Sequence, residues 1–447
     1  MPHQKLPTAT SVQKVINNLK KSDGIIYLKG QVLHERDDTD VELPFRQESN
    51  FFYMTGVNEA DFHVVVSLSS GNITLIAPDI VEDHVMWMGL PDTPEQLKNK
   101  YDVHEVVYAS QLEQVLQKEN PEKIYTLSIC DVTAIPKNLQ SKVDKDSLQP
   151  AIYDARLYKA QWEVELMREI NKISSDAHIK LMKEAKAGLS EQQLHALFVY
   201  ETARKGAFFQ SYNPIVAAGV NAATLHYGKN NGGISKDQLV LIDAGAELNC
   251  YASDITRTFP AGGKFSKEQR EIYEIVLEMQ KKCFELCKPG VDWEDIHRLA
   301  LRVACEGLVK IGILNGDVEE LLSKHIPACL FPHGLGHSIG IDVHDVGGYA
   351  PGVQRVDEPG IRNLRMRRKL EAGMAVTVEP GIYFCDYIID PLLKDSATSK
   401  YFDLEKLNHY KKVGGVRIED DIVITESGFD NLTTVPKEVQ EIEALMA

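Results

Sequence analysis

Several features are missing from this 447-residue sequence, and each absence argues against a class of protein. Its seven cysteines form no CxxC pair and are odd in number, which predicts a reduced, cytoplasmic protein without a disulfide framework. No apolar run reaches membrane-spanning length, and no apolar secretory leader is visible. Lys and Arg number 49 against 65 Asp and Glu, a net charge of −16, which argues against nucleic acid as a partner.

The pattern of apolar residues divides the chain into two parts, and neither part contains an internal repeat. The first part, residues 1–157, mixes short β-branched runs with polar loops, which predicts a smaller α/β domain. Its predicted strands are residues 25–28, 63–66 and 73–76, and its predicted helices are residues 93–100 and 111–117. The second part, residues 158–447, combines long helical periodicities with strand-like runs, which predicts an α+β domain with a mostly antiparallel sheet.

Capping signals mark the helices of the second part. A periodicity that starts near residues 154–159 stops at Gly188, and two later helices open with Ser-to-Gln capping boxes. These boxes are Ser190 with Gln193 and Ser266 with Gln269. The third helix is predicted to end at Pro289–Gly290, a fourth covers residues 292–311, and the predicted strands are residues 239–244, 375–379 and 415–424.

Two aspartates lie inside apolar, strand-like runs, Asp243 in LVLIDAG and Asp254 in YASDIT. A buried carboxylate is costly unless it is paired or binds a metal. A hairpin turn centred between Leu248 and Asn249 would place Asp243 directly opposite Asp254, with Cβ atoms ~5 Å apart. Two charges that close need a cation or a shared proton. The alternative is a hairpin with two solvent-facing aspartates.

Three histidines fall within twelve residues of a glycine-rich stretch, and they are His333, His337 and His344. The glycines argue against a firm helix, and no Glu follows His333, so the HExxH zinc motif is absent. Glycine at these positions indicates backbone packed closely against a site. The alternative is a chance group of core or surface histidines.

Two glutamates lie in β-branched runs nearer the C-terminus, Glu379 in AVTVEPG and Glu419 in GVRIEDD. A cross-strand salt bridge is the common explanation for either one alone. Arg417 precedes Glu419 by two residues, so both would share one strand face, and the arginine would orient the carboxylate.

Together these residues match the charge of two divalent cations. Four carboxylates supply four negative charges and one imidazole supplies a neutral nitrogen, which suits a partly buried dinuclear site. Oxygen-rich ligation with one imidazole favours Mn²⁺, with Fe²⁺, Co²⁺ or Zn²⁺ as alternatives. Two metals ~3.5–4 Å apart can bridge a hydroxide nucleophile and stabilise the developing oxyanion.

At these residues the sequence resembles the superfamily of methionine aminopeptidase, aminopeptidase P and prolidase, which has the pita-bread fold. Its five metal-ligand positions match Asp243, Asp254, His337, Glu379 and Glu419. The strings most similar to eukaryotic prolidases are FRQES at 45–49, HGLGH at 333–337, DVHDVGG at 342–348, TVEPGIYF at 377–384 and GGVRIEDD at 414–421. The resemblance implies a pita-bread catalytic domain over residues 158–447, preceded by an aminopeptidase P-like domain over residues 1–157.

The resemblance also implies roles around the metals. Glu379 matches the general base, and His226 matches the histidine that contacts the scissile carbonyl oxygen. His333 and His344 match histidines that line the substrate pocket. Two further residues are implied at the substrate-binding site. Tyr212 matches a residue that is hydrogen-bonded near a metal-binding aspartate, and Arg417 matches an arginine that supports the metal ligands.

Arg365 lies fourteen residues before Glu379, where prolidases carry an arginine. It would bind the substrate's C-terminal carboxylate bidentately and so limit substrates to dipeptides. The alternative is a solvated basic run with Arg367 and Arg368. Trp87 resembles a tryptophan that prolidase dimers place near the partner's active site, and a core or loop tryptophan is the alternative.

The resemblance therefore implies metal-dependent hydrolysis of Xaa-Pro dipeptides by a cytoplasmic homodimer. An Xaa-Pro bond has no N–H, so a site that needs only the carbonyl oxygen, the amine and the ring is suited to it. The alternatives are an Xaa-Pro aminopeptidase that acts on longer peptides, a creatinase-like enzyme, and a binding protein on the same fold.

Overall fold

A computed structural model describes residues 5–447, which divide into two compact units. The first unit ends at Leu157, and the second runs from Tyr158 to Ala447. Between residues 5 and 447, no helix combines the length and apolarity that a membrane crossing requires.

The first unit contains one mixed six-stranded sheet and a set of short helices. Its strands are β1 (Ile25–Lys29), β2 (His63–Ser67), β3 (Ile73–Ala77), β4 (Glu105–Tyr108), β5 (Ile124–Tyr125) and β6 (Val143–Asp144). Its helices are α1 (Thr8–Leu19), α2 (Ser49–Thr55), α3 (Glu82–Met88), α4 (Pro94–Lys100), α5 (Leu112–Glu119) and α6 (Leu148–Leu157). The strand order is β4-β3-β2-β1-β5-β6, with antiparallel pairing among β1–β3 and parallel pairing of β3 with β4, β1 with β5 and β5 with β6.

The predicted elements of the first unit are confirmed, each to within two residues at its ends. Every residue of the run 63–67 is buried, which explains why β-branched side chains there predict a strand. Thr93 and Gln96 form a capping box at the start of α4, so the helix begins where its polar residues satisfy free N–H groups.

The second unit places longer helices beside several small antiparallel sheets. Its helices are α7 (Gln161–Glu184), α8 (Glu191–Ala203), α9 (Lys267–Leu286), α10 (Trp293–Lys310), α11 (Val318–Ser323), α12 (Asp386–Lys394), α13 (Leu404–Tyr410) and α14 (Val439–Leu445). Its strands are β7 (Phe209–Gln210), β8 (Ile215–Ala218), β9 (Leu239–Asp243), β10 (Ala246–Leu248), β11 (Tyr251–Ala252), β12 (Thr256–Pro260), β13 (Ala375–Val378), β14 (Gly381–Tyr383), β15 (Gly415–Arg417), β16 (Asp420–Ile424) and β17 (Phe429–Asn431).

The sheet orders in this unit are β11-β10-β7, β12-β9-β8, β13-β16-β17 and β14-β15, and every pairing is antiparallel. The predicted α+β class with antiparallel strands is therefore confirmed. Every residue of β9 and β12 is buried, and burying one Leu, Ile or Phe side chain contributes roughly 1.5–3 kcal/mol. These strands are consequently a rigid support for the polar side chains that they carry.

Four predicted features from residue 154 onward are wrong. The periodicity near residue 154 belongs to two helices, α6 and α7, and α7 ends at Glu184 instead of Gly188. Helix α9 ends at Leu286, four residues before Gly290. Gly188 and Gly290 lie in the turns that follow α7 and α9, and both have positive φ. The run 415–424 is two strands, because the chain leaves β14 and joins β13 at Ile418–Glu419. Both capping boxes, at Ser190 and Ser266, are confirmed.

Candidate metal and substrate site

A cavity of about 1000 Å³ in the second unit brings together all the residues that the sequence analysis assigned to the site. Its lining includes Tyr212, His226, Asp243, Asp254, His333, His337, His344, Arg365, Glu379, Arg417 and Glu419. They come from strands and loops spread over two hundred residues of chain, so the fold itself assembles the cavity.

The hairpin that carries the two aspartates has a different register from the predicted one. Asp243 pairs with Thr256, not with Asp254, because the turn falls one residue later than predicted. Asn249 and Cys250 form that turn with φ of 46° and 60°, the left-handed geometry of a tight two-residue hairpin turn. Asp254 is therefore displaced along the strand, beside the backbone of Gly245, where any Cβ would collide with Ser253 O.

Tyr212 links the two aspartates despite that displacement. Its hydroxyl oxygen lies 2.5 Å from Asp243 Oδ1 and 2.5 Å from Asp254 Oδ1. The second oxygen of Asp243 accepts a hydrogen bond from Arg417 Nη2 at 2.5 Å. The backbone N–H of Asp254 donates to Asp421 Oδ2 at 2.9 Å, which anchors the backbone at this position.

Arg417 supports the cluster differently from the prediction that it orients Glu419. It donates from Nη2 to Asp243 and from Nε to Thr256 Oγ1, at 3.0 Å for the latter. The Thr256 hydroxyl donates in turn to Glu419 Oε2 at 2.6 Å, so the threonine bridges the arginine and Glu419, while the charge of Arg417 also lowers the pKa of Glu419 against the larger effect of burial. Its remaining Nη1 donates to the Tyr383 hydroxyl at 3.0 Å.

His337 presents a free nitrogen to the carboxylates. Its Nδ1 lies 3.0 Å from Ser338 O, so Nδ1 carries the proton and Nε2 keeps its lone pair. That Nε2 lies 3.4 Å from Asp254 Oδ2 and 3.6 Å from Glu379 Oε1. Burial lowers the pKa of His337, so the ring is neutral. The exposed ring of His344 packs edge-on against it, with centroids 4.4 Å apart.

A divalent cation fits this donor set. Asp254, His337 and Glu419 each offer one ligand atom, and these atoms lie within 4.8 Å of one another. Burial, and then the neighbouring carboxylates, raise the pKa of Asp254 and of Glu419 well above their ordinary values. Burial likewise raises the pKa of Glu379 to about 7. Carboxylates gathered this closely need positive charge to stay ionised, and a bound cation supplies it.

His333 belongs to a hydrogen-bonded chain on the other side of Glu379. Its Nδ1 donates to Gly334 O and its Nε2 accepts from the Tyr383 hydroxyl, each at 2.8 Å. Burial, followed by the charge of Arg417, lowers the pKa of His333 to about 3, so the ring stays neutral. Nδ1 also lies 3.8 Å from Glu379 Oε2, which leaves this glutamate between two histidines.

The part of the cavity away from the carboxylates is open to solvent. His226, His344 and Arg365 line it with exposed side chains. Within residues 5–447, Arg365 has no ion-pair partner, although its charge lowers the pKa of Asp254 after the larger effects of burial and the nearer groups. Arg365 therefore offers a guanidinium to whatever enters the cavity.

Comparison with known proteins decides the family. The pattern described as Metallopeptidase family M24 matches residues 165–426, and that of the Aminopeptidase P N-terminal domain matches residues 8–125. The chain belongs to metallopeptidase family M24. The predicted order of an aminopeptidase P-like domain followed by a pita-bread catalytic domain is thus confirmed, and the protein is a hydrolase.

Curated relatives of this M24 peptidase carry two different activity names. A probable Xaa-Pro aminopeptidase pepP of Botryotinia fuckeliana is 43% identical, covering 99% of this chain and 97% of the relative. The Xaa-Pro dipeptidase of Mus musculus is 42% identical, covering 98% and 93%. Among solved structures, Pseudomonas aeruginosa aminopeptidase PepP is 34% identical with a TM-score of 0.84, covering 99% and 98%.

Gln280 on α9 is a supporting residue of the M24 site that the sequence did not reveal. Its buried amide donates to Val378 O at 2.9 Å and to Ile418 O at 3.3 Å. Each carbonyl belongs to the residue just before a candidate ligand, Glu379 or Glu419. A glutamine in an amphipathic helix gives no sequence signal for this, because its partners become neighbours only when β13 and β15 fold beside α9.

The Tyr212 hydroxyl gives a first prediction for this M24 peptidase. We expect Tyr212→Phe to weaken Mn²⁺ binding by about 10- to 100-fold, the usual cost of removing a group that orients metal ligands. Calorimetric titration of metal-free protein with Mn²⁺ measures this affinity. Tyr410→Phe is the matched control, since it removes a hydroxyl that is bonded to Glu271 outside the cavity. Equal affinity for the two variants would contradict the role of Tyr212.

Proposed function

We propose that this M24 peptidase hydrolyses dipeptides of the form Xaa-Pro. The observation that carries the proposal is Arg365, whose guanidinium lines the same cavity as the carboxylate cluster and has no ion-pair partner between residues 5 and 447. The two activity names among the relatives differ by only one per cent in identity, 43% against 42%, so overall similarity does not choose between them. The chemistry of the cavity therefore has to decide.

The residues suited to hold two divalent cations are Asp243, Asp254, His337, Glu379 and Glu419. Mn²⁺ agrees best with four carboxylates and one imidazole, with Fe²⁺, Co²⁺ or Zn²⁺ as alternatives. When bound, such cations supply an activated water and positive charge for the scissile carbonyl oxygen. Tyr212 and Arg417 keep both aspartate side chains oriented toward that position.

Glu379 is the proposed general base and acid. Its side chain faces the cavity between His337 and His333, beside the position proposed for the metals, so it can accept a proton from a water held there and release it again. It takes a proton from the attacking water as the new C–O bond forms at the carbonyl carbon. It returns that proton to the proline nitrogen as the C–N bond breaks.

The histidines divide the remaining work in this proposal. His226 and His344, both exposed in the cavity, contact the scissile carbonyl oxygen and the substrate carboxylate. His333 has both ring nitrogens bonded, to Gly334 O and the Tyr383 hydroxyl, so it lines the substrate pocket as a fixed neutral ring beside Glu379. Partial burial of its ring against the cavity wall, followed by the neighbouring His337 and the charge of Arg365, lowers the pKa of His344 to about 3, so it acts as a neutral ring.

Arg365 would bind the free carboxylate of the proline residue. A guanidinium and a carboxylate form two parallel hydrogen bonds, and a peptide that continues past proline has no charge to offer at that point. An Xaa-Pro aminopeptidase acting on longer peptides is the alternative function. That alternative function predicts that the positive charge of Arg365 has no effect on which peptides are cleaved.

Substituting Arg365 tests the proposal. We expect metal-loaded enzyme to cleave Gly-Pro, and Arg365→Ala to lower kcat/KM for Gly-Pro roughly 10- to 100-fold, the cost of a lost charged hydrogen bond. Activity on Gly-Pro amide, which lacks the carboxylate, should not change. Hydrolysis is followed by proline release, with chelated protein as the metal-free reference.

Arg362→Ala is the matched control for Arg365→Ala. Arg362 also lines the cavity with an exposed side chain, but it pairs with Asp357, with Nε and Oδ1 3.5 Å apart. If wild-type enzyme cleaves Gly-Pro-Gly and leaves Gly-Pro intact, the dipeptidase proposal is wrong and the aminopeptidase alternative holds. If neither peptide is cleaved with any of these metals, both the dipeptidase and the aminopeptidase function are wrong, and a binding role is the remaining alternative.

We further propose a homodimer in the cytoplasm. All seven cysteines are free thiols, and six of them are buried, which agrees with a reducing compartment. Both parts of the alternative for Trp87 are wrong, because 77% of its surface is exposed and it lies in helix α3 instead of a loop. Met86, Met88 and Leu90 beside it are also exposed, and an apolar patch of this kind supports contact with another protein surface.

A further inference from the structure

The carbonyl oxygen of Leu364, the residue just before Arg365, accepts two side-chain hydrogen bonds. The Tyr349 hydroxyl donates to it at 2.9 Å, and Arg355 Nη1 donates to it at 2.8 Å. Both lone pairs of this oxygen are therefore used. Arg355 Nη1 also donates to Arg362 O at 3.1 Å, and the Arg355 guanidinium lies 5.2 Å from the centre of the Tyr349 ring. Tyr349 and Arg355 thus support each other as well as the carbonyl.

Two glycines hold the same short segment from either side. A Cβ at Gly334 would lie 3.1 Å from the Cα of Leu364, and a Cβ at Gly348 would lie 2.2 Å from the carbonyl oxygen of Arg365. Backbone on both sides therefore touches backbone at residues 364–365. A further bond from Arg367 N–H to Gly348 O, at 2.6 Å, continues the contact.

The result is an arginine with a fixed backbone and an unpaired side chain. The backbone at Leu364–Arg365 is fixed by two donors and two glycines, while the Arg365 guanidinium has no ion-pair partner within the described residues. Holding the backbone in advance removes part of the ordering cost that a flexible loop would add to substrate binding. An arginine presented in this way binds a fixed carboxylate better than one on a mobile loop.

We propose that Tyr349 and Arg355 are positioning residues for Arg365, and that through it they set the preference for a free carboxylate after proline. This inference rests on the proposed dipeptidase function. Arg355 also lines the cavity with an exposed side chain, but its Nη1 is engaged with the carbonyls of Leu364 and Arg362, which defines its role here as positioning. Their effect is consequently specific to substrates that carry the carboxylate.

The test is a double-mutant cycle with Gly-Pro. Tyr349→Phe removes one donor and keeps the ring. Arg355→Lys keeps the charge but replaces the planar guanidinium that donates to the Leu364 and Arg362 carbonyls. We expect each to raise KM for Gly-Pro by about 3- to 10-fold, the size of one hydrogen bond, with kcat and Mn²⁺ affinity unchanged. In an Arg365→Ala background, each should have no further effect on KM.

Two controls separate this idea from a general loss of structure and from failure of the proposed function. Arg362→Lys changes a neighbouring arginine whose side chain does not contact Leu364 O, and it should leave KM unaltered. Gly-Pro amide, followed as a substrate or by its inhibition constant, should not distinguish the Tyr349 and Arg355 variants from wild type.

Persistence of the KM increase in the Arg365→Ala background would overturn the inference, as would its absence in the wild-type background. Arg365→Ala with an unchanged preference for Gly-Pro over its amide would instead overturn the carboxylate role of Arg365 itself. Each of these three results comes from a different comparison. The positioning role of Tyr349 and Arg355 and the carboxylate-binding role of Arg365 can therefore be disproved separately.

Discussion

Asp254→Asn is expected to remove nearly all peptidase activity and to prevent full metal loading. Asp254 lies at the centre of the carboxylate cluster, with one oxygen bonded to Tyr212 and the other 3.4 Å from His337 Nε2. Asparagine has almost the same shape, so the fold should be retained. It loses the negative charge, however, and its NH₂ group cannot bind a cation.

The decrease in metal affinity and activity should exceed the roughly 10- to 100-fold decrease that follows removal of a group that orients a ligand, because Asp254 is itself a ligand. Metal content after dialysis against Mn²⁺ and hydrolysis of Gly-Pro are the two measurements. Asp430→Asn is the matched control, since this aspartate is 43% exposed and pairs with Arg168 on the surface. A variant Asp254→Asn protein that binds as much metal as the control and keeps its activity would disprove the assignment.

Asp420→Ala is expected to destabilise the second unit by about 3–5 kcal/mol, the cost of leaving a buried charge without its partner. Asp420 Oδ1 lies 2.7 Å from Arg257 Nη2, and the two side chains are 1% and 0% exposed. Burial alone would raise the pKa of Asp420, but the charges of Arg257 and Lys437 outweigh it and hold the pKa at about 2. The pair is therefore ionised, and removing the aspartate isolates the arginine.

Urea unfolding followed by tryptophan fluorescence measures this change. The chain has three tryptophans, and Trp87→Phe removes the one in the first unit, so Trp162 and Trp293 then report on the second. Asp430→Ala in the same background breaks an exposed pair and should cost ~0–1 kcal/mol. An Asp420→Ala midpoint that coincides with the Asp430→Ala midpoint would show that the buried pair contributes no net stability.

The candidate ligands could be found from the sequence because ionisable residues in apolar runs are rare without a partner. Asp243 and Glu419 both follow that rule, and their neighbours in the chain carry the local signal. The hairpin register could not be found in the same way. The register depends on left-handed backbone at Asn249 and Cys250, and a cysteine in the sequence does not predict that conformation.

Contacts between distant parts of the chain account for the rest of what was missed. Gln280 and Thr256 have ordinary polar side chains, and their importance follows only from the carbonyls and hydroxyls that the fold brings to them. The division of residues 415–424 into β15 and β16 is a similar case. The alternating pattern continues through Ile418–Glu419, while the hydrogen bonds transfer from one sheet to another there.

At that transfer between sheets, the residues just before the last helix are linked to a candidate metal ligand. The carbonyl of Glu419 is turned toward Arg257, which donates to it at 2.8 Å and also to Val435 O at 2.8 Å and Pro436 O at 3.2 Å. One guanidinium thus joins a candidate metal ligand to the segment that precedes the last helix. Because linkage is reciprocal, we expect a cation bound at Glu419 to stabilise the segment at Val435 and Pro436 by as much as that segment favours the cation.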